Sequence, residues 1–322
     1  MDQDSHSHPP MAEPIAFPLA KYPPKFVANV RRYFGAKGDQ WLRDLPGIVG
    51  SIANEWQLTH IRPYQLSINY VAEGTQADGR NAVLKILAPD DEAQGELHAL
   101  RVFNGHGCVR LLRVSEDQRC LLLEQCQPGS QLASVPNDRA RTQIAAHLYN
   151  KIWRKVPNED GFIDLRDWFS AIPQKQARMN GKLPRALPKL AHHLAIQLLP
   201  SLFAASATYR LIHGDLHHFN ILRHQGEWVA IDPKGVIGPA EYECGPLMLN
   251  PWPRLASYSN LNKTTADRLA ILNEILGFDR QVILGWALCH CVLSVWWDCD
   301  EKTGSGGEYS ATLARHYSAL LK

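Results

Sequence analysis

The sequence predicts an α+β protein of two lobes, a small β-sheet lobe with leading helices followed by a larger, mainly helical lobe. Three observations carry that reading. Short apolar runs with strand character cluster between about residues 60 and 124, apolar residues at helical spacing dominate the chain after about 137, and turn chemistry at Gln125-Cys-Gln-Pro-Gly129 separates the two regions. With 322 residues, 45% hydrophobic and 20% charged, the chain is long enough to bury a core in each lobe. The expected division is a polar tail over 1–24, a first lobe over 25–124 and a second over 125–322.

Taken in order, the first twenty-four residues are rich in Pro, carry His6 and His8 among Asp and Ser, and lack the apolar centre of a signal peptide, so they read as a disordered lead. Lys25 to Phe34 and Trp41 to Trp56 read as helices, because Trp41, Leu42, Leu45, Ile48, Val49 and Ile52 recur at helical spacing. Trp41 and Trp56 are assigned to packing. Leu66 to Val71 and Asn81 to Leu87 read as strands flanking the turn Glu73-Gly-Thr-Gln-Ala-Asp-Gly79, and Cys120 to Glu124 reads as a further strand. Later helices are expected near 137–156, 187–207, 264–276, 279–298 and 308–321. Pro173 to Pro188 reads as a loop that either covers a site or joins helices.

The chemistry sits in Leu211-Ile-His-Gly-Asp-Leu-His-His-Phe-Asn-Ile-Leu222 and Trp228-Val-Ala-Ile-Asp-Pro-Lys-Gly235. Asp215 stands five residues before Asn220, and Asp232 closes the next apolar run, the order H-x-D-L-x-x-x-N then D. Phosphoryl transfer needs a carboxylate to take the acceptor proton and hard oxygen donors for a divalent cation bridging phosphate oxygens. Asp215 suits the first role, Asn220 and Asp232 the second. Leu211-Ile212, Ile221-Leu222 and Trp228 to Ile231 read as short strands, which places Asn220 and Asp232 at the edges of a small ribbon and Asp215 in a loop. The bland alternative is a polar turn between two buried strands.

Upstream, Lys85 lies inside an apolar strand, where an ammonium is costly without a partner. Glu96, in a helical stretch from Glu92 to Phe103, is the best candidate; the other reading is an edge strand with Lys85 in solvent. Gly74 belongs to a turn whose backbone N–H groups could reach phosphate. Glu124 and Cys126 flank a junction where backbone groups could meet a nucleobase, or where a strand simply exits into a loop.

Ala82-Val-Leu-Lys-Ile86, Gly107-Cys-Val-Arg-Leu-Leu112, Leu121-Leu-Leu-Glu124 with Pro128-Gly129, His213-Gly-Asp-Leu-His217 and Ala230-Ile-Asp-Pro-Lys-Gly235 with Asn250-Pro251 resemble the streptomycin 6-kinase and hydroxyurea phosphotransferase family, a branch of the aminoglycoside phosphotransferases. The likeness runs over roughly residues 40 to 300. It implies a protein-kinase-like fold, with ATP and Mg2+ as cofactors and a small hydroxylated molecule as acceptor. It implies Asp215 as base, Asn220 and Asp232 on magnesium, Lys85 on the nucleotide phosphates and Glu96 orienting it. Lys234 is similar to the lysine after that family's metal aspartate and would meet phosphate or acceptor. The expected activity is O-phosphorylation of an aminoglycoside such as streptomycin. A sugar, amino alcohol or fructosamine kinase and a silent nucleotide-binding module are the alternatives. Glu241 and Glu243 read either as acceptor-side acids or as solvated acids at a helix start.

Composition narrows the partners. A net charge of +2 with scattered basic residues gives no field for nucleic acid or an anionic membrane. No run reaches membrane-spanning length, and no obligate protein partner is evident. Seven cysteines, an odd number, read as reduced thiols of a cytoplasmic protein. Cys289-His-Cys291 with Cys299 carries a hint of zinc, but sits in an apolar helical run and reads as buried structure.

Overall fold

In the computed structural model, residues 22–89, 93–158, 160–205 and 209–321 are described. The chain divides into two compact units, Met1–Asp91 with Leu112–Gln125, and Glu92–Leu111 with Cys126–Lys322. The second boundary lies beside the expected one at 124. The segment 92–111, expected in the first lobe, groups instead with the second unit. The polar lead, with His6 and His8, lies outside the described residues.

The first unit is a helix laid on a sheet. Helix α1 (Pro24–Trp56) is interrupted at Gly35, whose φ of 53° and ψ of −129° break the helical run. The two segments match the expected pair of helices. Phe26, Val30, Leu42, Leu45, Val49 and Ile52 form one buried stripe. It packs on strands β1 (Thr59–Pro63), β2 (Tyr70–Thr75), β3 (Asn81–Ile86), β4 (Leu111–Ser115) and β5 (Cys120–Glu124), ordered β1-β2-β3-β5-β4. Along β3, Ala82, Leu84 and Ile86 join this core. Strand alternation therefore turns Val83 and Lys85 to the opposite face. The strand expected from Leu66 starts only at Tyr70, because Asn69 Oδ1 accepts from Ala88 N–H at 2.9 Å and holds the preceding residues in a bend.

The second unit begins with helix α2 (Ala93–Phe103) and continues through strand β6 (Pro128–Gln131), helix α3 (Asp138–Ile152), strand β7 (Ile163–Asp164) and helices α4 (Leu165–Arg178) and α5 (Lys189–Ala205). Strands β8 (Tyr209–Ile212), β9 (Ile221–His224), β10 (Glu227–Ala230) and β11 (Val236–Pro239) follow, then helices α6 (Cys244–Leu249), α7 (Leu261–Leu276), α8 (Arg280–Asp298) and α9 (Glu308–Leu320). Two small sheets result, β10-β9-β6 and β7-β11-β8. The expected loop over 173–188 is shorter: α4 runs through Pro173 to Arg178. Burial of Leu165, Trp168, Phe169 and Ile172 on one face, and Asp164 accepting from Arg166 N–H at the helix start, outweigh the proline.

Helix α8 is apolar all round, from Ile283 to Trp296, and packs against α4, α5, α6, α7 and α9. Cys289 and Cys291 are buried within it, and His290 Nδ1 is bonded to the Tyr242 hydroxyl at 2.9 Å, so these groups serve packing. Among the described residues no single helix is long and apolar enough to cross a membrane.

Candidate active site

The second unit holds Asp215, Asn220, Asp232, Lys234, Glu96 and Cys126; the first holds Lys85, Gly74 and Glu124. Strand β8 ends at Ile212, and the chain turns through His213 and Gly214 before Asp215. Gly214 is required there. Its φ is +88°, and a Cβ would lie 2.5 Å from Val236 Cγ2 and 3.2 Å from Trp168 Cη2.

Hydrogen bonds stitch this loop to the segment that carries Asp232. His213 Nε2 lies 2.7 Å from Ile231 O, Lys234 N–H donates to His213 O at 2.8 Å, and Ile231 N–H donates to Asn220 O at 2.9 Å. A carbonyl only accepts, so His213 carries its proton on Nε2. Its Nδ1 then accepts from Asp215 N–H at 3.2 Å, and burial pushes the imidazole down to about 3, keeping it neutral. The β9–β10 hairpin turns at Gln225-Gly226 and sets Asn220 beside the exit from β10, with Asp232 next along the chain. Asp232 has a φ of +59°, a left-handed conformation that Asp tolerates better than most residues.

Side-chain orientation follows from the same network. Asn220 Nδ2 donates to Asp215 O at 2.9 Å, which turns Oδ1 the other way. Asn220 Oδ1 and the Asp232 carboxylate are hard donors. Among the described residues no group of three or more His, Cys, Asp or Glu side chains forms a metal cage. Two protein ligands completed by phosphate oxygens and water is the habit of Mg2+, so the donor set fits that ion. His217 Nδ1 accepts from Phe219 N–H at 3.2 Å, leaving the proton on Nε2, which lies 3.7 Å from Asp215 Oδ1. A donor thus faces the carboxylate from a position to which the sequence reading gave no role.

The largest omission of that reading is Glu243. It is neither solvated nor available to an acceptor: its side chain is fully buried at the end of a short 3-10 turn, Ala240–Glu243. Oε2 accepts from His213 N–H at 2.7 Å, and Oε1 accepts from Gly214 N–H at 3.1 Å and Leu216 N–H at 3.4 Å. One carboxylate therefore holds the backbone on both sides of Asp215. Burial pushes this carboxyl up to about 7, the three N–H donors pull it back and nearby Asp215 adds to the rise. The only sequence signal was an acid at the head of the apolar run Cys244 to Leu249. Tyr149 adds a further prop, its hydroxyl donating to Leu216 O at 3.1 Å.

Glu96 sits in the first turn of α2 and is 8% exposed. It and Asp232 both raise the buried Cys108 thiol, after burial itself, which sets both carboxylates near that sulfur. Helix α2 meets the Asp-Pro-Lys-Gly segment backbone to backbone. A Cβ on Gly95 would lie 2.5 Å from Lys234 O, and one on Gly235 would lie 2.2 Å from Gly95 O. The glycine after Lys234 is thus a contact residue for α2. The Lys234 side chain itself is exposed.

In the first unit, Lys85 is 2% exposed on β3, which excludes the solvent-facing reading. Neither Lys85 nor Glu96 is without a partner. Gly74, expected in the turn, lies inside β2 opposite Ala82, where a Cβ would make only ordinary contacts; the turn proper is Gln76 to Gly79. Glu124 ends β5 opposite Ala82. Cys126, half-buried, opens the chain's return to the second unit, where Gly129 at φ +73° passes 2.8 Å from Cys126 O at its Cβ position.

The family described as aminoglycoside/hydroxyurea antibiotic resistance kinase matches residues 62–301. A streptomycin 6-kinase of Streptomyces glaucescens is 29% identical over 305 residues, 92% of this chain and 97% of the relative. A hydroxyurea phosphotransferase of Kitasatospora aureofaciens is 30% identical over 294 residues, 88% of this chain and 82% of the relative. Among solved structures, the choline kinase of Streptococcus pneumoniae superposes with a TM-score of 0.61 at 14% identity, covering 85% of this chain and 98% of the other. An aminoglycoside phosphotransferase solved with AMP-PNP and hygromycin B gives 0.58 at 13%, covering 86% and 97%. At such identities the structures speak for the fold, which is protein-kinase-like.

Proposed function

The chain belongs to the aminoglycoside/hydroxyurea antibiotic resistance kinase family, and from that premise we propose that it transfers the γ-phosphoryl group of ATP to a hydroxyl of an aminoglycoside such as streptomycin. The observation that carries the reading is the stitching of the Asp215 loop to the Asp232 segment through Ile231, Lys234 and Asn220. A base and two oxygen ligands are thereby held on one scaffold, as positioning-dominated phosphoryl transfer requires.

In this reading Asp215 accepts the acceptor hydroxyl's proton as that oxygen attacks. The Nε2–H of His217 faces the same carboxylate at 3.7 Å. Asn220 Oδ1 and Asp232 would hold Mg2+, which when bound offsets charge on the phosphate oxygens. By the family resemblance Lys85 would meet the nucleotide phosphates, Glu96 would orient it, and Lys234 would meet phosphate or acceptor. Backbone groups near Glu124 and Cys126 would meet the nucleobase. Glu243 contacts no reacting atom; it positions the loop.

The test is mass spectrometry of a panel of hydroxylated compounds, streptomycin and hydroxyurea included, incubated with ATP, magnesium and either wild-type protein or Asp215→Ala. Phosphorylated streptomycin made by the wild type alone is the expected result. Modification of another compound instead would move the acceptor, and equal product from Asp215→Ala would overturn the assignment of the base.

A further inference from the structure

A cavity of about 260 Å³ opens on the second unit, lined by Gln131, Ser134, Arg141, Phe219, Arg254 and Tyr258 among others. Phe219 immediately precedes Asn220, so the cavity stands one residue from the metal-binding position. The surroundings are cationic and unbalanced. The side chains of Arg141 and Arg268 are 8% and 1% exposed, and both bond the single carboxylate Asp138, at 2.9 and 2.7 Å. Their other acceptors are neutral: Val135 O and the Tyr258 hydroxyl for Arg141, Leu247 O and Asn250 O for Arg268. Two buried guanidinium groups on one carboxylate leave a net positive charge in a medium that screens it poorly. Arg254 adds another cation, exposed beside the cavity.

Three buried polar atoms of the same cluster have no hydrogen-bond partner: Arg141 Nε and both ring nitrogens of His218. His218 lies directly behind the cavity wall, its carbonyl accepting from the N–H of lining residue Ala133 at 3.0 Å. Native interiors leave few such atoms unsatisfied, and they gather where a ligand or ordered water belongs. Tyr258, which accepts from Arg141, keeps its own hydroxyl proton to donate. The cavity is smaller than the roughly 300–1,000 Å³ of sites for drug-sized ligands, which sets the scale of its occupant at one functional group.

We propose that this cavity is a second binding site, distinct from the phosphoryl-transfer centre, for a compact oxyanion: the carboxylate or phosphate group of a small molecule, received by Arg254 and the Tyr258 hydroxyl over the buried Arg141–Asp138–Arg268 cluster. A polycationic acceptor would be repelled from it. The site does not depend on the chemistry proposed for Asp215.

Equilibrium dialysis at constant ionic strength tests it, with labelled inorganic phosphate and, separately, labelled acetate as probes, in the presence of saturating magnesium AMP-PNP to fill the nucleotide site. One saturable site is expected, weakened about tenfold or more by Arg254→Ala and less by Arg254→Lys, as a charge-assisted contact requires. Tyr258→Phe should weaken it several-fold and supplies the reading if Arg254→Ala does not fold. Phosphate binding without acetate would identify a phosphate-bearing ligand, and the reverse a carboxylate-bearing one. Absence of saturable binding by both probes, or equal binding in the wild type and the variants, would overturn the proposal.

Discussion

Glu243→Gln is the substitution that most directly separates positioning from chemistry. The side chain is fully buried and hydrogen-bonds the Asp215 loop through three backbone N–H groups. Glutamine keeps the shape but offers one acceptor oxygen. If that oxygen serves Gly214 and Leu216, the amide N–H₂ opposes His213 N–H, and one buried donor is left unsatisfied against another donor. Stranding a buried donor costs about 1–3 kcal/mol. Should all of it fall on the alignment of Asp215, kcat drops between about fivefold and 150-fold at about 1.4 kcal/mol per tenfold.

The pH dependence sharpens the test. Burial raises the Glu243 carboxyl from 4.5 to about 7, so between those values the folded chain holds a proton that the unfolded chain has released. Its contribution to stability is complete below about 4.5 and is lost as pH rises toward 7, at most about 3 kcal/mol at 1.36 kcal/mol per unit. The three N–H donors need the ionised form, so loop order should run the other way. If only that form is competent, wild-type kcat rises about tenfold from pH 6 to pH 8. Steady-state assays of ADP release with the accepted substrate over that range, paired with thermal unfolding, measure both limbs. Glu243→Gln should lower kcat, leave nucleotide affinity within about twofold and flatten both pH effects. A folded variant with wild-type kcat and an unchanged pH profile would refute the positioning role.

Other substitutions test separate parts of the scaffold. Gly214→Ala forces a Cβ to 2.5 Å from Val236 Cγ2 at a φ of +88°, and should destabilise the second unit by about 2–4 kcal/mol in urea unfolding; a loss below about 0.5 kcal/mol would contradict the crowding. Arg268→Met leaves Asn250 O without its donor, removes one of the two donors to Leu247 O and takes one of two cations from Asp138, and a loss of about 3–5 kcal/mol is expected by the same measurement. For Asp232→Ala, calorimetric titration of AMP-PNP should show affinity that no longer responds to magnesium, whereas an undiminished response would remove Asp232 from the ligand set. Gly235→Ala drives a Cβ to 2.2 Å from Gly95 O and should displace α2, read as a thermal midpoint several degrees lower.

By itself, the sequence determined the elements whose cause is local. The apolar stripe of α1 and its break near Gly35, the alternation of β3, the β9–β10 hairpin and the spacing of Asp215, Asn220 and Asp232 are written in residue types a few positions apart, where periodicity and turn chemistry act. It did not determine the length of α4, because burial of Trp168 and Phe169 overrides a proline that reads as a breaker. Nor did it reveal that α2 packs with the second unit, since Gly95 and Gly235 stand 140 positions apart and matter only through one backbone contact. Glu243 is the clearest case. In the sequence it is one acid among several, and only tertiary structure brings its carboxylate under three N–H groups thirty residues upstream. Hydrogen-bond partners and desolvation are properties of position in space, so a buried carboxylate's role, like the charge imbalance around Arg141 and Arg268, comes into being only when distant segments meet.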